Sequence, residues 1–546
     1  MLDLNAEKLL RQRYYLPGET WEGLVRRMTD AYTIGEVKDY KDEVFAGLHS
    51  LEFLPNSPAI VNAGKNRGAF ACFCVGPDED TLENHLDTLK DIAQVAKSGG
   101  GCGFTGTNIR PKNSPVNGSS HGYSYGPNAW ASNVSSYMHM MTQSGFRRMA
   151  LMYTLSSDHA DLEDFINLKQ SKDESALYNF NQSVFATDEW LTKATTSPFS
   201  NDARLFNKLV ENAWNNGEPG LLFNDTINGE SQPYKVSGQT IQVSNPCGEQ
   251  PLPSYGSCNL GSLNLGKFVV NGKFDFDKLS RSVRIFTKFL DNVGEGNKFP
   301  NSKFEKWYKE NRPVGLGFMG LADVFLLLGI KYGSPESLQL LEQIIQVMKV
   351  ESYKESTLLG LERGVPERCK VFGRRNITTL TLAPTGSISF IASCLGSGCE
   401  PVFSPTFTRV DERGERYEVE NEFAHEPYFV SVVGSQNSLT WKQHLDVQVL
   451  LQKYVDSAIS KTINFSNTAT KQDVKDAFLY AWKNGCKGIT VYRDNSRQVQ
   501  VLNHKEEVKV EVEANALGCV GKDCKLEHKE GCLSCSTCGA SACSIK

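Results

Sequence analysis

Residues 244–265 constrain this chain more than any other stretch, because they combine two cysteines with an amide, a carboxylate and several glycines: SNPCGEQPLPSYGSCNLGSLNL. Asn245, Cys247 and Glu249 alternate, so in an extended loop their side chains are predicted to point the same way. The proline between them restrains the backbone, and the glycine allows a close bend past a ligand. The pattern therefore predicts a loop that presents a thiol to a small volume.

The surroundings of Cys247 indicate which chemistry this thiol performs. A nucleophilic cysteine normally has a histidine, a lysine or a helix N-terminus to lower its pKa. Neither His nor Lys occurs within ten residues of Cys247 on either side. Glu249 would instead raise the pKa of the thiol and favour its neutral form. A neutral thiol beside a carboxylate suits hydrogen-atom transfer better than nucleophilic attack.

The same stretch resembles the finger loop of ribonucleotide reductases, and other blocks resemble that family in the family's order. These blocks are LPNSPAIVNAG (54–64), ACF (71–73), KSGGGCGF (97–104), RPVGLGFMGLAD (312–323), LAPTGSIS (382–389) and GCKGITVYRD (485–494). The resemblance implies an α/β fold, a ten-stranded α/β barrel with a central finger loop. It also implies an N-terminal helical segment (1–50), a catalytic barrel (51–500) and a flexible, Cys-rich tail (501–546).

Composition agrees with this interpretation. The chain has 546 residues, 40% of them apolar and 22% charged, which is enough for a large core. Its net charge of −5 gives no reason to expect a nucleic-acid partner. Because the sequence shows no long apolar run and no signal peptide, we expect a cytoplasmic protein without a membrane partner. Fifteen cysteines in a reducing compartment indicate redox or metal residues.

Local patterns predict several elements. Apolar spacing of three and four residues predicts short helices in residues 1–50 and two long helices in 275–370. The run TTLTLAP predicts a strand that ends in small hydroxyl residues and a glycine before a helix. Relatives often carry an N-terminal ATP-sensing module, for which this chain has no room, so we expect no overall inhibition by dATP.

The family resemblance implies a role for each finger-loop residue. Cys247 becomes the thiyl radical, Glu249 accepts a proton from the 3′ hydroxyl, and Asn245 holds the substrate. Cys258 is oxidised together with a second cysteine, which ACF matches best at Cys72. Both cysteines would face one side of a strand. Cys74 is the alternative, because the spacing to Asp80 is one residue off for either choice.

Substrate and effector residues also follow from the resemblance. A ribonucleoside diphosphate or triphosphate would contact a set of small residues, consisting of Ser57, Ala71, Thr385, Gly386, Ser387, Ile388 and Ser389. Hydroxyls and amides before a helix can bind phosphate. A nucleoside triphosphate effector would contact Asp80 at the interface of a homodimer, with residues 171–178 as a second loop. His159 is expected to be structural.

The source of the radical can be predicted from the last block. Oxygen-dependent relatives receive the radical through two stacked tyrosines, where this chain has Val491 and Tyr492. GCKG and VYRD instead resemble the adenosylcobalamin-dependent class, in which the cofactor generates the thiyl directly.

The tail resembles the same class. Cys538 and Cys543 are assigned as a dithiol that reduces the active-site disulfide, fed by a thioredoxin or glutaredoxin-type reductant. The CxxCxxC spacing also indicates metal ligation. A zinc tetrathiolate is predicted from the four other tail cysteines, Cys519, Cys524, Cys532 and Cys535.

Two other functions compete with this one. The chain could be the catalytic subunit of an oxygen-dependent reductase that needs a separate metal subunit. It could also be a non-catalytic nucleotide-binding regulator with a zinc tail. The presence of Asn245, Cys247, Glu249 and Cys258 together disfavours the regulator, since a degenerate copy would lose some of them.

Overall fold

A computed structural model describes most of the chain. The described residues are 2–116, 121–142, 149–170, 180–410, 416–432, 439–494, 496, 502–504, 526–529, 532–535 and 541–543. The chain divides into two units, Met1–Pro405 with Glu420–Gln500, and Thr406–Val419 with Val501–Lys546. Within the described residues, no helix is both long and apolar enough to cross a membrane.

Short helices were predicted in residues 1–50, and three lie there among the described residues. All the described α-helices belong to the larger unit. They are α1 (Leu4–Arg13), α2 (Trp21–Tyr32), α3 (Lys38–His49), α4 (Ser57–Asn62), α5 (Leu82–Ser98), α6 (Gly126–Thr142), α7 (Leu162–Asn167), α8 (Asp188–Thr196), α9 (Asn201–Asn216), α10 (Asn224–Ile227), α11 (Pro233–Val236), α12 (Phe276–Glu295), α13 (Ser302–Asn311), α14 (Leu321–Leu328), α15 (Pro335–Arg363), α16 (Gly386–Ile391), α17 (Trp441–Gln452) and α18 (Lys471–Lys483). Side chains cap the first two helices, because Asp3 and Thr20 accept hydrogen bonds from backbone amides of the first turn.

The strands are short. They are β1 (Phe53–Pro55), β2 (Cys72–Val75), β3 (Gly101–Thr105), β4 (Leu151–Ser156), β5 (Asn181–Ala186), β6 (Gly220–Phe223), β7 (Val243–Ser244), β8 (Pro251–Leu252), β9 (Ser257–Asn264), β10 (Val269–Val270), β11 (Lys273–Phe274), β12 (Val314–Met319), β13 (Thr406–Val410), β14 (Arg416–Glu420), β15 (Thr462–Phe465), β16 (Gly488–Arg493), β17 (Leu502–His504), β18 (Leu526–Lys529), β19 (Cys532–Cys535) and β20 (Ser541–Cys543).

Ten strands form one sheet, in the order β1-β9-β2-β3-β4-β5-β6-β16-β15, with β12 also paired to β9. Strands β2 to β6 are parallel to one another. The pairs β9–β12 and β15–β16 are also parallel, whereas β2–β9 and β6–β16 are antiparallel. Two parallel groups therefore meet at two antiparallel seams, and the long helices α12 and α15 pack against each other outside β12 and β9.

The run TTLTLAP closes the sheet, although it forms no continuous strand. Leu380 bridges Leu316 of β12, and Leu382 bridges Ile459, which leads into β15. The predicted strand is thus reduced to one bridge on each side. With these bridges the sheet closes, and the predicted ten-stranded α/β barrel is confirmed.

The smaller unit contains two separate sheets. Strands β14, β13 and β17 form one, and β18, β19 and β20 form the other. In the second sheet, Cys532 lies opposite Cys543, and Cys535 lies opposite Leu526.

Candidate active site

The finger loop, residues 245–250, projects from the hairpin of β7 and β8. The Asn245 amide donates to the Gln250 carbonyl at 3.1 Å, and the Gly248 amide donates to the Asn245 carbonyl at 3.0 Å. Gly248 has a φ of +81°, which a glycine adopts without strain. The prediction of an extended loop is therefore wrong, because these bonds close the loop into a tight turn.

The turn separates the side chains by burial. Cys247 is exposed at the tip, whereas Asn245 and Glu249 are buried. Asn245 Nδ2 lies 3.1 Å from Cys72 Sγ, and Cys72 Sγ lies 3.7 Å from Glu249 Oε1. Cys247 is close enough to raise the pKa of Cys72 by its charge, after the larger effects of burial and Glu249. The loop thus gathers an amide, a carboxyl and two thiols.

Cys72 and Cys258 face each other across the seam between β2 and β9. Directly opposite residues of antiparallel strands have Cα atoms about 4.5–5.5 Å apart, within the range of a disulfide. Cys74 lies on the same face as Cys72, with its Sγ 3.8 Å from the Gln250 carbonyl. Its amide pairs with Gly256, which is two residues from Cys258 along the strand.

Burial controls the protonation of these groups. It raises the pKa of Glu249 to about 7, and Glu249 Oε2 has no hydrogen-bond partner within the described part of the chain. Burial, and then the nearby charge of Glu249, raises the pKa of Cys72 and of Cys258. Both thiols are therefore protonated at neutral pH, and Glu249 is poised to exchange a proton.

Glycines of β3 make room for the finger loop. A Cβ atom added to Gly103 would lie 1.9 Å from the Ser244 carbonyl oxygen, and one added to Gly101 would lie 3.1 Å from Pro246 Cγ. The GGGCG cluster therefore permits a close approach of two backbones. The alternation of Gly101 and Gly103 in the sequence is the signal that could have identified this packing.

The barrel wall formed by β5, β6 and β16 carries small polar side chains. Asn181 of β5 donates to the Pro246 carbonyl at 2.8 Å, so this face of β5 lines the barrel interior. Ser183 lies on the same face, and a Cβ added to Gly220 would lie 3.1 Å from Ser183 Oγ and 3.9 Å from Thr490 Oγ1. Thr490 is exposed. The interior is therefore open across from the tip.

Val491 and Tyr492 occupy different faces of β16. Because side chains alternate along a strand, Tyr492 shares the interior face with Thr490. Val491 is buried on the opposite face, where α9 and α18 pack against the strand. The barrel interior thus receives one aromatic side chain from this pair of residues.

The predicted substrate residues lie at two places connected by α1. Ser57 begins α4, and its Oγ lies 2.9 Å from the Tyr14 hydroxyl at the end of α1. Ala71 is half-buried beside β2, and its carbonyl accepts the Gly101 amide at 2.8 Å. Helix α1 also packs against α16, the helix of the second group.

Residues 385–389 form the start of α16, and their hydroxyls differ in availability. Thr385 Oγ1 accepts the Gly398 amide at 2.7 Å, and Ser389 Oγ lies 3.2 Å from Ser397 Oγ. These two hydroxyls therefore support the following loop. Ser387 and Gly386 are half-buried in the first turn, and Ile388 is buried.

Asp80 lies just before α5 and has protein partners. Its carboxylate pairs with Arg110 and lies 3.2 Å from His85 Nε2. The predicted second effector loop, 171–178, lies outside the described residues. His159 is structural as expected, because Nε2 lies 2.8 Å from the Ile109 carbonyl and Nδ1 accepts the Asp161 amide.

The tail predictions fall largely outside the described residues, which exclude Cys519, Cys524 and Cys538. Cys532, Cys535 and Cys543 have a described backbone only, in β19 and β20. Among residues whose positions are described, no group of three or more His, Cys, Asp or Glu could hold a metal ion.

Sequence reasoning missed the residues that hold the finger loop from behind. Thr381 Oγ1 and the Ala458 amide both donate to the Glu249 carbonyl, at 2.9 and 2.8 Å. Thr381 lies three residues before the proline of LAPTGSIS, but only its position beside the loop reveals the contact. No sequence pattern indicated Ala458.

Comparisons with known proteins agree on one family. Residues 70–203, 191–369 and 363–492 match the profile "Ribonucleotide reductase, barrel domain", and residues 1–68 match "Ribonucleotide reductase, all-alpha domain". A vitamin B12-dependent ribonucleoside-diphosphate reductase of Thermoplasma acidophilum is 37% identical over 83% of this chain and 65% of its own length. One of Mycobacterium tuberculosis is 32% identical over 96% of this chain and 83% of its own.

A solved structure agrees at the level of the fold. The class Id ribonucleotide reductase alpha subunit of Actinobacillus ureae superposes with a TM-score of 0.77 at 22% identity. The superposition covers 90% of this chain and 97% of that subunit.

Proposed function

This chain belongs to the ribonucleotide reductase family, and we propose that it reduces ribonucleotides to 2′-deoxyribonucleotides for DNA synthesis by thiyl radical chemistry, with adenosylcobalamin as the radical source. The observation that carries the proposal is the exposed Cys247 beside buried Glu249 and the opposed pair Cys72 and Cys258. The exposed thiol can reach a substrate, while the buried pair can store two electrons.

The proposed reaction begins at the sugar. The Cys247 thiyl takes the 3′ hydrogen, and Glu249 accepts the proton of the 3′ hydroxyl while Asn245 holds the substrate. The 2′ hydroxyl then leaves as water after protonation by one thiol of the Cys72–Cys258 pair. The pair supplies two electrons and the second hydrogen, and it ends as a disulfide. Glu249 returns its proton to the 3′ oxygen and Cys247 returns the 3′ hydrogen, so that the carboxylate and the thiyl radical are both regenerated.

The residues around the tip fit a large cofactor. Cys247 is exposed, a Cβ on Gly248 would meet no atom within 4 Å, and Thr490 of β16 is exposed. We propose that these residues face adenosylcobalamin, which supplies a carbon radical when its cobalt–carbon bond breaks. Both B12-dependent relatives support this class.

An oxygen-dependent reductase remains the second candidate, and the direction of Val491 disfavours it. An apolar side chain packed under α9 and α18 cannot relay an electron hole to Cys247. Tyr492 alone would have to span the path. The barrel fold by itself does not distinguish these classes.

Substrate and effector sites are proposed at the positions predicted by the sequence. Ser57, Ala71 and the start of α16 would hold a ribonucleoside diphosphate or triphosphate, as small residues and hydroxyls before a helix can do. Asp80 would contact a nucleoside triphosphate effector with the carboxylate that pairs with Arg110 in this structure.

We further propose a homodimer formed through α5 and α6. These helices pack against each other and expose apolar side chains, namely Leu82, Leu86, Tyr137 and Met140. An exposed apolar patch on adjacent helices is typical of a protein interface.

The tail proposals rest on the sequence alone. Cys538 and Cys543 would pass electrons from a thioredoxin or glutaredoxin-type reductant, and Cys519, Cys524, Cys532 and Cys535 would bind zinc. The division into 1–50, 51–500 and 501–546 is proposed on the same basis. A cytoplasmic location is proposed because fifteen cysteines are better explained as redox or metal residues of a reducing compartment than as structural disulfides.

One assay tests the proposed function. Purified chain is incubated under argon with a ribonucleoside diphosphate or triphosphate and a dithiol, with or without adenosylcobalamin. Deoxyribonucleotide that forms only with the cofactor, and without any second polypeptide, is the expected result. Turnover that needs a metal-loaded partner would identify the oxygen-dependent class, and binding without turnover would identify the regulator.

A further inference from the structure

The backbone of Glu249 is held from outside the finger loop. Its carbonyl accepts hydrogen bonds from Thr381 Oγ1 at 2.9 Å and from the Ala458 amide at 2.8 Å. Both donors are buried. They belong to the segments around 380–382 and 457–459, which close the barrel through the bridge between Leu382 and Ile459. These two hydrogen bonds therefore join the finger loop to the segments that close the barrel.

Asp456 ties the two segments together. Its Oδ2 accepts the amides of Thr379 and Leu380 at 2.8 and 3.1 Å. Its Oδ1 contacts the ammonium of Lys349 and accepts the Tyr353 hydroxyl at 2.5 Å. Burial alone would raise the pKa of Asp456, but the charges of Lys349 and of a nearby arginine hold it below its ordinary value. Asp456 is thus a permanent anion at neutral pH.

The position of the Glu249 carboxyl follows from these contacts. The Glu249 side chain is attached to the Cα atom next to this hydrogen-bonded carbonyl, and its Oε1 lies 3.7 Å from Cys72 Sγ. The amide of the same peptide group, that of Gln250, donates to Asn245 Oδ1 at 2.9 Å. The peptide bond that follows Glu249 is therefore held at both its carbonyl and its amide.

We propose that Thr381, supported by Asp456, is a positioning residue that keeps the Glu249 carboxyl buried and aimed at the reacting hydroxyl. This inference rests on the proposed function, because it assigns the hydroxyl of Thr381 to the proton-transfer step. The Thr381 hydroxyl also lies 3.3 Å from the Ala458 carbonyl, so it joins the finger loop to the segment 457–459. Its effect on the proton transfer passes through Glu249.

The variant Thr381→Val removes the hydroxyl and keeps the shape, whereas Thr381→Ser keeps the hydroxyl. Losing one of two donors to the Glu249 carbonyl should loosen the turn and admit water to the carboxyl. We expect Thr381→Val to lower kcat about tenfold with KM unchanged. We also expect the pKa of Glu249 to fall by about one unit, since hydration favours the ionised form. Thr381→Ser should restore both quantities.

The matched control is Thr287→Val. Thr287 is also a buried threonine that donates to a backbone carbonyl, that of Val283, but it lies in α12 outside the barrel. This variant should change stability without moving the pH profile. Circular dichroism and thermal unfolding establish that each variant is folded.

Two measurements decide the matter. The pH dependence of kcat reports the Glu249 pKa during turnover, and infrared difference spectra against Glu249→Gln report it without turnover. A lower pKa and kcat in Thr381→Val, with rescue by serine, supports the role. An unchanged pKa in folded Thr381→Val, or a failure of Thr381→Ser to rescue, overturns it. If the infrared spectra show a lower Glu249 pKa in Thr381→Val than in the wild-type protein, but the wild-type protein has no turnover, the positioning role is supported and the proposed reaction is contradicted.

Discussion

The tip of the finger loop and the strand wall behind it place cysteines in opposite surroundings. Cys247 is exposed on a turn, whereas Cys72 and Cys258 are buried and face each other across an antiparallel seam. Burial and Glu249 raise the pKa of the buried pair, so those thiols hold their protons until they are oxidised. The difference teaches that one residue type serves two functions here, transfer of a hydrogen atom at the tip and storage of electrons in the wall.

The largest effect is expected at the tip. Cys247→Ser should reduce turnover to background, because a serine O–H bond is too strong to exchange a hydrogen with the ribose C–H bond. Steady-state formation of deoxyribonucleotide measures this. Cys369→Ser is the matched control, since Cys369 is buried outside the barrel interior and its Sγ lies 3.1 Å from a backbone carbonyl that a hydroxyl can also reach. Retained activity in Cys247→Ser would contradict the assignment of hydrogen-atom transfer to the cysteine at the tip.

The wall is tested by comparing its two neighbouring cysteines. Cys72→Ser should lose sustained turnover, because Cys258 then has no partner with which to form a disulfide. Cys74→Ser should keep it, since Cys74 faces the Gln250 carbonyl and not Cys258. Mass spectrometry of the oxidised protein should find a Cys72–Cys258 disulfide. The opposite ranking of the two variants would transfer the redox role to Cys74.

A smaller loss of activity is expected when Glu249 is replaced, because its carboxyl lies between the tip of the finger loop and the strand wall. Glu249→Gln should lower kcat about 100-fold or more, the usual cost of removing a general base. In the wild-type protein, activity should fall with decreasing pH below about 7, because the carboxyl must be ionised to accept a proton. The pH profile of kcat checks both expectations, and an acid limb near the ordinary value for glutamate would contradict them.

The smallest effect concerns stability. The pKa of Glu249 rises from 4.5 to about 7 on folding, so its stabilising contribution is present below pH 4.5 and is lost as the pH rises through 7. Glu249→Gln should therefore stabilise the protein at pH 8 by at most about 3 kcal/mol, and hardly at pH 5. Thermal unfolding at the two pH values measures the difference. Equal Tm shifts at both would indicate that the carboxyl is hydrated.

The sequence was most informative where chemistry limits the choice of residues. The barrel and the N-terminal helices were predictable, because the family blocks imply the barrel and apolar periodicity predicts the helices. The turn of the finger loop was not, since alternation alone cannot distinguish an extended loop from one closed by Gly248. Thr381 and Ala458 were also hidden, because their contact with Glu249 joins residues more than a hundred positions apart.

The most direct test of the central claim follows a label at the sugar. A ribonucleotide deuterated at C3′ is converted with adenosylcobalamin, and the product is analysed by mass spectrometry and NMR. If Cys247 takes and returns this hydrogen, turnover slows with the label and deuterium remains at C3′ of the product, whereas Cys247→Ser shows neither turnover nor exchange. A rate that is insensitive to the label, or the same exchange in Cys247→Ser, would contradict the account.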